Sequence, residues 1–112
     1  VWTIAAPSRE EAERLAAPAA MMFAHLVKGE LIAVPSVEKA LAWVATHGPG
    51  GFRRRTVIGT PAEVHAELDR VAELYGADEL LLVNILPDHP ARMRSYALVA
   101  AEYGLAEQAA AA

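Results

Sequence analysis

Between Gly59 and Ile85 the chain carries an ordered set of local signals that leaves few folds open. Thr60 is suited to cap a helix through its hydroxyl, and Pro61 to take the first helical position, where its missing N–H would find no partner. Glu63 completes an S/T-x-x-E capping box. Val64, Leu68, Val71 and Tyr75 recur at steps of four, three and four and define one apolar face, and Gly76 supplies the left-handed residue that ends such a helix. Leu80 to Val83 and Ile85 then form an apolar run too short for a second helix and unbroken by polar alternation. That pattern predicts a parallel strand over Glu79–Ile85, covered on both faces. A helix, a tight glycine turn and a buried strand make half of a βαβ unit, which needs strand neighbours elsewhere in the chain.

The rest of the chain supplies some of these neighbours but need not contain them all. Trp2 to Ala6 is β-prone, and Ser8 with Glu11 forms a second capping box ahead of Ala12, Leu15, Ala19, Met22, Phe23 and Leu26 at helical spacing. Pro18 falls inside that helix, where it removes one hydrogen bond and is expected to kink it. Ser36 caps a short helix carrying Val37, Leu41 and Val44, and Thr56 to Ile58 reads as extended. Pro90 suits the start of a last helix, with Met93, Tyr96, Ala97 and Ala100 on its inner face. Helices are thus expected near Glu10–Lys28, Val37–Thr46, Pro61–Tyr75 and Pro90–Tyr103, with strands near Trp2–Ala6 and Glu79–Ile85 pairing in parallel. The glycines in 47–55 predict a flexible loop, and the alanine-rich 106–112 a frayed tail.

Composition narrows the function classes. A hydrophobic fraction of 54% excludes a disordered chain, and the formal charge of -4 argues against general nucleic-acid binding. The absence of cysteine excludes disulfides and thiolate metal sites. His25, His47, His65 and His89 are too scattered for a local metal motif, and no Ser-His-Asp or phosphate-loop pattern occurs. No apolar run reaches the roughly 20 residues of a membrane span, and no signal peptide is visible, so a cytoplasmic location with no membrane partner is expected.

Gly59-Thr60-Pro61-Ala62-Glu63-Val64, then Tyr75-Gly76-Ala77-Asp78-Glu79-Leu80, then Asp88-His89 and Arg92-Met93-Arg94-Ser95-Tyr96, together resemble the C-terminal end of the bacterial luciferase-like flavin monooxygenases. Trp2 to Ala6 and the following Ser8 to Leu15 are similar to that family's seventh barrel strand and the helix after it. The resemblance implies an α/β, helix-rich piece of a (β/α)8 TIM barrel, its last two βα units. Such barrels typically take about 250 residues, so the 112-residue chain, which starts at Val1 without an initiator Met, reads as a single partial domain lacking the N-terminal two-thirds. By the same resemblance the parent enzyme uses reduced FMN and O2 to oxygenate an organic substrate, with a flavin reductase as partner. A deazaflavin enzyme of the same superfamily is the other possibility, because cofactor-selective residues would lie upstream. The isolated piece is expected to be inactive.

Barrel chemistry gathers where strands end, which singles out Ala6 to Ser8 and Asn84 to His89. Asn84 can offer an amide to a ligand, and Asp88 and His89 lie where a substrate or flavin edge passes; either of the latter two also suits the cap of the last helix. Arg53 to Arg55, beside the glycine-rich loop, suit an anion. The resemblance implies that flavin phosphate contacts come from earlier strands, which leaves the arginines a solvated or structural role. Asn84, Asp88, His89 and Arg53 are therefore the candidate cofactor-binding residues, with no catalytic residue assigned. A different class of reading is a stand-alone α/β module without catalysis. In either case the two edges of a buried-type strand favour self-association.

Overall fold

The computed structural model describes residues 1–48 and 56–105. Its elements are β1 (Trp2–Ala5), α1 (Arg9–Val27), α2 (Val37–His47), β2 (Thr56–Gly59), α3 (Pro61–Tyr75) and α4 (His89–Glu102). Of the expected loop at 47–55, residues 49–55, with Arg53, lie outside the described residues, as does the expected tail at 106–112; His47 itself closes α2, followed by Gly48 at φ 80°.

Local chemistry fixes the helix starts. Ser8, Ser36, Thr60 and Asp88 each cap a helix by accepting a hydrogen bond from the N–H three residues on. Only α3 has the reciprocal box, in which the Glu63 carboxylate accepts from the Thr60 N–H at 2.9 Å. The second box expected at Ser8 is half made, because the Glu11 carboxylate turns instead to Arg94 on α4. Gly76 ends α3 at φ 59°, as its place in the sequence predicts. Pro18 is accommodated within α1, which is helical on both sides of it.

The sheet differs from expectation in which strands pair. β1 forms its parallel ladder with β2, in the register Trp2 to Thr56 through Ala5 to Gly59. The 79–85 segment lies on the other side of β1 and makes a single parallel bridge, Trp2 with Val83, through Thr3 N–H to Val83 O at 3.0 Å and Val83 N–H to Val1 O at 2.9 Å. It is thus aligned in parallel with β1, as expected, but it is not a regular strand and its two faces are not both covered. Leu81 is 78% exposed and Val83 47%. An apolar run marks a buried strand only when partners lie on each side of it, and here the segment has one neighbour.

The strand covered on both faces is β1. Ile4 and Ala6 pack with Ala12 and Leu15 of α1, Val37 of α2 and Leu86, while Ala5 packs with Val57, with Val64 and Leu68 of α3, and with Val99 of α4. Because successive strand residues point to opposite faces, α1 and α2 cover one side of the sheet and α3 and α4 the other. The inner face of α4 also differs from the expected Met93, Tyr96, Ala97 and Ala100: Ser95 and Val99 are buried and Met93 is exposed. The cause is a backbone need, since Ser95 is turned inward to reach the N–H of Ala5. On α1, Met21 rather than Met22 is buried.

Candidate functional site

The carboxyl ends of β1, β2 and the 79–85 segment lie together, and the capped N-termini of α1, α3 and α4 follow them in sequence. With β2 on one side of β1 and the 79–85 segment on the other, the chain reverses its crossing direction at β1. In open α/β sheets such a reversal leaves a crevice at the carboxyl ends of the strands, where ligands bind.

Here α4 closes that crevice. A continued ladder would take the Ala5 N–H toward the 79–85 segment, but it donates instead to Ser95 Oγ at 2.9 Å. One residue past the bridge, the Asn84 N–H donates to the Tyr96 hydroxyl at 3.1 Å. Behind this seal Asn84 is only 6% exposed, and neither its Nδ2 nor its Oδ1 has a protein partner among the described residues. Asn84 is therefore a buried amide with spare hydrogen-bonding capacity, not a group open to solvent.

The other sequence candidates are placed apart. Asp88 accepts from the Ala91 N–H at 3.2 Å as the α4 cap, and His89 Nδ1 meets the Arg92 guanidinium at 3.0 Å on an exposed face. Arg94 of α4 pairs with Glu11 of α1. Arg53 lies outside the described residues. Asn84, Asp88 and His89 thus stand near one another in sequence, with their side chains in three different environments.

A second site was not legible from sequence. Between α1, α2 and the sheet lies an apolar cleft of about 280 Å³. Its sheet side is Trp2, Ile4, Ile58, Val83 and Ile85, and α1 opposes them with Ala16, Ala17, Ala20 and Phe23. Trp2 and Phe23 meet edge to face with ring centroids 3.9 Å apart, forming an aromatic wall. Among the described residues Glu13 is the one ionisable side chain on the lining; it is exposed and pairs with Arg9 at 3.6 Å, while Arg9 lies closer to Glu63, at 3.2 Å.

Charge at the strand ends is organised around α3. The Thr60 N–H and then the Arg9 guanidinium hold the Glu63 carboxyl below the usual carboxylate range. At the far end of the α3–α4 pair, the Tyr103 hydroxyl donates to Asp69 at 3.0 Å, and burial, followed by that bond, pushes its pKa up to about 12. Among the described residues no three His, Cys, Asp or Glu side chains are grouped to hold a metal ion.

The Asn84 amide is enclosed, and the Asp88 carboxylate caps α4. The cleft offers a largely apolar surface. Among the described residues no helix is long and apolar enough to cross a membrane.

No family model matches the chain, and no curated protein does. Among solved structures, the crystal structure of apo-MsnO8 is similar to it, with a TM-score of 0.84 and 30% sequence identity. The likeness covers 94% of this chain and 33% of that one, so the chain spans about a third of the length of apo-MsnO8.

Proposed function

We propose that this chain is the C-terminal part of a luciferase-like, FMN-dependent monooxygenase built on a (β/α)8 barrel, whose complete form uses reduced flavin and O2 to oxygenate an organic substrate. The observation that carries this reading is the order of three elements. The Gly59-Thr60-Pro61 start opens α3, the Ala77 to Ile85 run follows as an extended segment aligned in parallel with β1, and Arg92 to Tyr96 falls in α4. These are the roles that the resemblance gives those residues.

In this reading α3 and α4, on one face of the sheet, belong to the outer helical layer of a barrel. The pair α1 and α2, on the other face, belongs to the lid-like connection between the seventh and eighth strands. The flavin site and its cofactor selectivity then lie in the remainder of the enzyme, a flavin reductase supplies the reduced cofactor, and the chain by itself is inactive. The flavin, when bound, supplies the redox chemistry. The described residues of this chain contribute a packed sheet, a closing helix and an apolar surface that excludes water.

Anaerobic titration of reduced FMN into the complete protein and into the 112-residue chain tests the reading. Saturable binding and O2-dependent oxygenation by the complete protein, with neither in the chain alone, is the expected result. A complete protein without affinity for reduced flavin overturns it.

The exposed Leu81 and Val83 along an open edge favour a second reading, a self-associating α/β module without catalysis. The coding region decides between them. Further βα units in frame ahead of Val1 support the enzyme, and a start codon just before it supports the module.

A further inference from the structure

The 79–85 segment has a free backbone edge, and the limits of that edge single out the strand that fits it. We propose that two copies of this chain pair antiparallel through it, with a two-fold axis passing at Leu81, to form one continuous sheet. The proposal deepens the self-association described above and rests on it.

Direction comes from the hydrogen bonds to β1. Leu81 O accepts from the Val1 amino group at 2.8 Å, and Val83 turns its N–H and C=O toward Val1 and Thr3. Backbone groups of successive strand residues point to opposite sides, so those of Leu80, Leu82 and Asn84 point away from β1. The Asn84 N–H is taken by the Tyr96 hydroxyl at 3.1 Å, whereas Leu80 and Leu82 make no backbone hydrogen bond among the described residues. The chain bends at Asp78, so the free edge runs from that bend to the Tyr96 hydroxyl. Leu81 stands midway along it, 78% exposed.

Such an edge is completed by an extended backbone, which offers N–H and C=O groups at strand spacing. A second copy set antiparallel, with Leu81 opposite Leu81, lets each Leu80 exchange both of its backbone bonds with Leu82 of the other copy. The bond to Tyr96 stays intact. Moving the axis toward Asn84 calls on an N–H already in use, and moving it toward Asp78 runs into the bend.

Charge sets the direction of the added strand. An in-register parallel pair places Glu79 beside Glu79 and Asp78 beside Asp78, which is unfavourable, while the antiparallel pair places Glu79 opposite Val83. On the exposed face Leu81 then meets Leu81, flanked by Val83 of the other copy, and the two exposed apolar side chains of the segment cover one another. The two-fold axis closes the assembly at a dimer. A foreign strand could satisfy the same backbone groups. The coincidence of the edge's midpoint with its exposed leucine, and the separation of like charges on reversal, belong to this chain paired with itself.

The sequence contains no cysteine, so single introduced cysteines report the register. In the proposed pair the two Leu81 Cα atoms stand about 4.5 Å apart, within reach of a disulfide, and the two Val83 Cα atoms roughly 14 Å apart, beyond it. Under mild oxidation L81C should shift to twice the chain mass, reversibly with a thiol reductant. V83C alone and E79C alone should stay at the single mass, and a mixture of the two should cross-link; that mixture carries the test should L81C lose the fold. Sedimentation velocity of the parent chain separates the two levels of the claim. A dimeric parent whose L81C stays at the single mass, or whose V83C links to itself as readily, keeps the self-association and overturns this pairing; a monomeric parent overturns both.

Discussion

The buried Ser95 hydroxyl accepts a hydrogen bond from the Ala5 N–H at 2.9 Å, across 90 positions of sequence. It takes the donor that a longer strand pairing would have used, and so sets where the 79–85 segment parts from β1. Ser95→Ala leaves a buried N–H without a partner, which is expected to cost about 1–3 kcal/mol. Urea denaturation of the variant measures this. A midpoint equal to that of the parent chain would show that the bond does not hold α4 to the sheet.

Gly59 ends β2 directly beneath the α3 cap. A Cβ there would stand 2.5 Å from Glu63 Oε2 and 3.1 Å from Glu63 Cβ, so Gly59→Ala must displace the carboxylate from the Thr60 N–H and from Arg9. The expected outcome is a lower melting temperature and faster amide exchange in the first turn of α3. Thr60→Ala, which removes the other half of the box, is expected to cost about 0.5–2 kcal/mol. Adding it to Gly59→Ala should cost less than the sum of the two, because both act on one cap.

Two groups give the stability a pH dependence at opposite ends. The Glu63 carboxyl is held below its ordinary value in the folded chain, so its contribution is present above the unfolded value and is lost as pH falls through the folded one. Tyr103 is raised to about 12, so its contribution is complete below the ordinary tyrosine range and is lost as pH rises from about 10 through the folded value. Glu63→Gln should flatten the acid limb of the stability profile, and Tyr103→Phe the alkaline limb. Profiles that keep both limbs in these variants would assign the dependence to other groups.

Leu81 and Val83 leave an apolar, half-paired edge at 79–85, and such an edge favours self-association of the isolated chain. Leu81→Lys should increase the monomer fraction in sedimentation velocity while changing stability by no more than about 0.5 kcal/mol. A parent chain that stays monomeric at high concentration contradicts the prediction.

What the sequence could and could not convey follows from the range of each signal. Helix caps are read within four residues, and Ser8, Ser36 and Thr60 were legible as caps for that reason; α3 begins and ends at Pro61 and Tyr75 as its pattern predicts. β2 is four residues long, too short for a period to declare itself, and yet it is the ladder partner of β1. The apolar run at 80–85 reads as a buried strand because apolarity alone does not tell a covered face from one awaiting a partner. Ser95 is outside the inner face expected of α4, and its burial follows from a donor ninety residues away. Asn84 reads from the sequence as an amide that can be offered to a ligand, and only the fold shows that it is enclosed behind α4 without a protein partner among the described residues. The cleft depends on alanines of α1 meeting strand residues from three separate segments, a relation with no local trace.

The most direct test of the oxygenase reading is the length of the natural polypeptide, measured by intact mass after capture from source cells with an antibody against α4. The account predicts a chain about three times the 112 residues described, since these span 33% of apo-MsnO8, and a product that consumes reduced FMN together with O2. A natural product of about 112 residues beginning next to Val1 would contradict it.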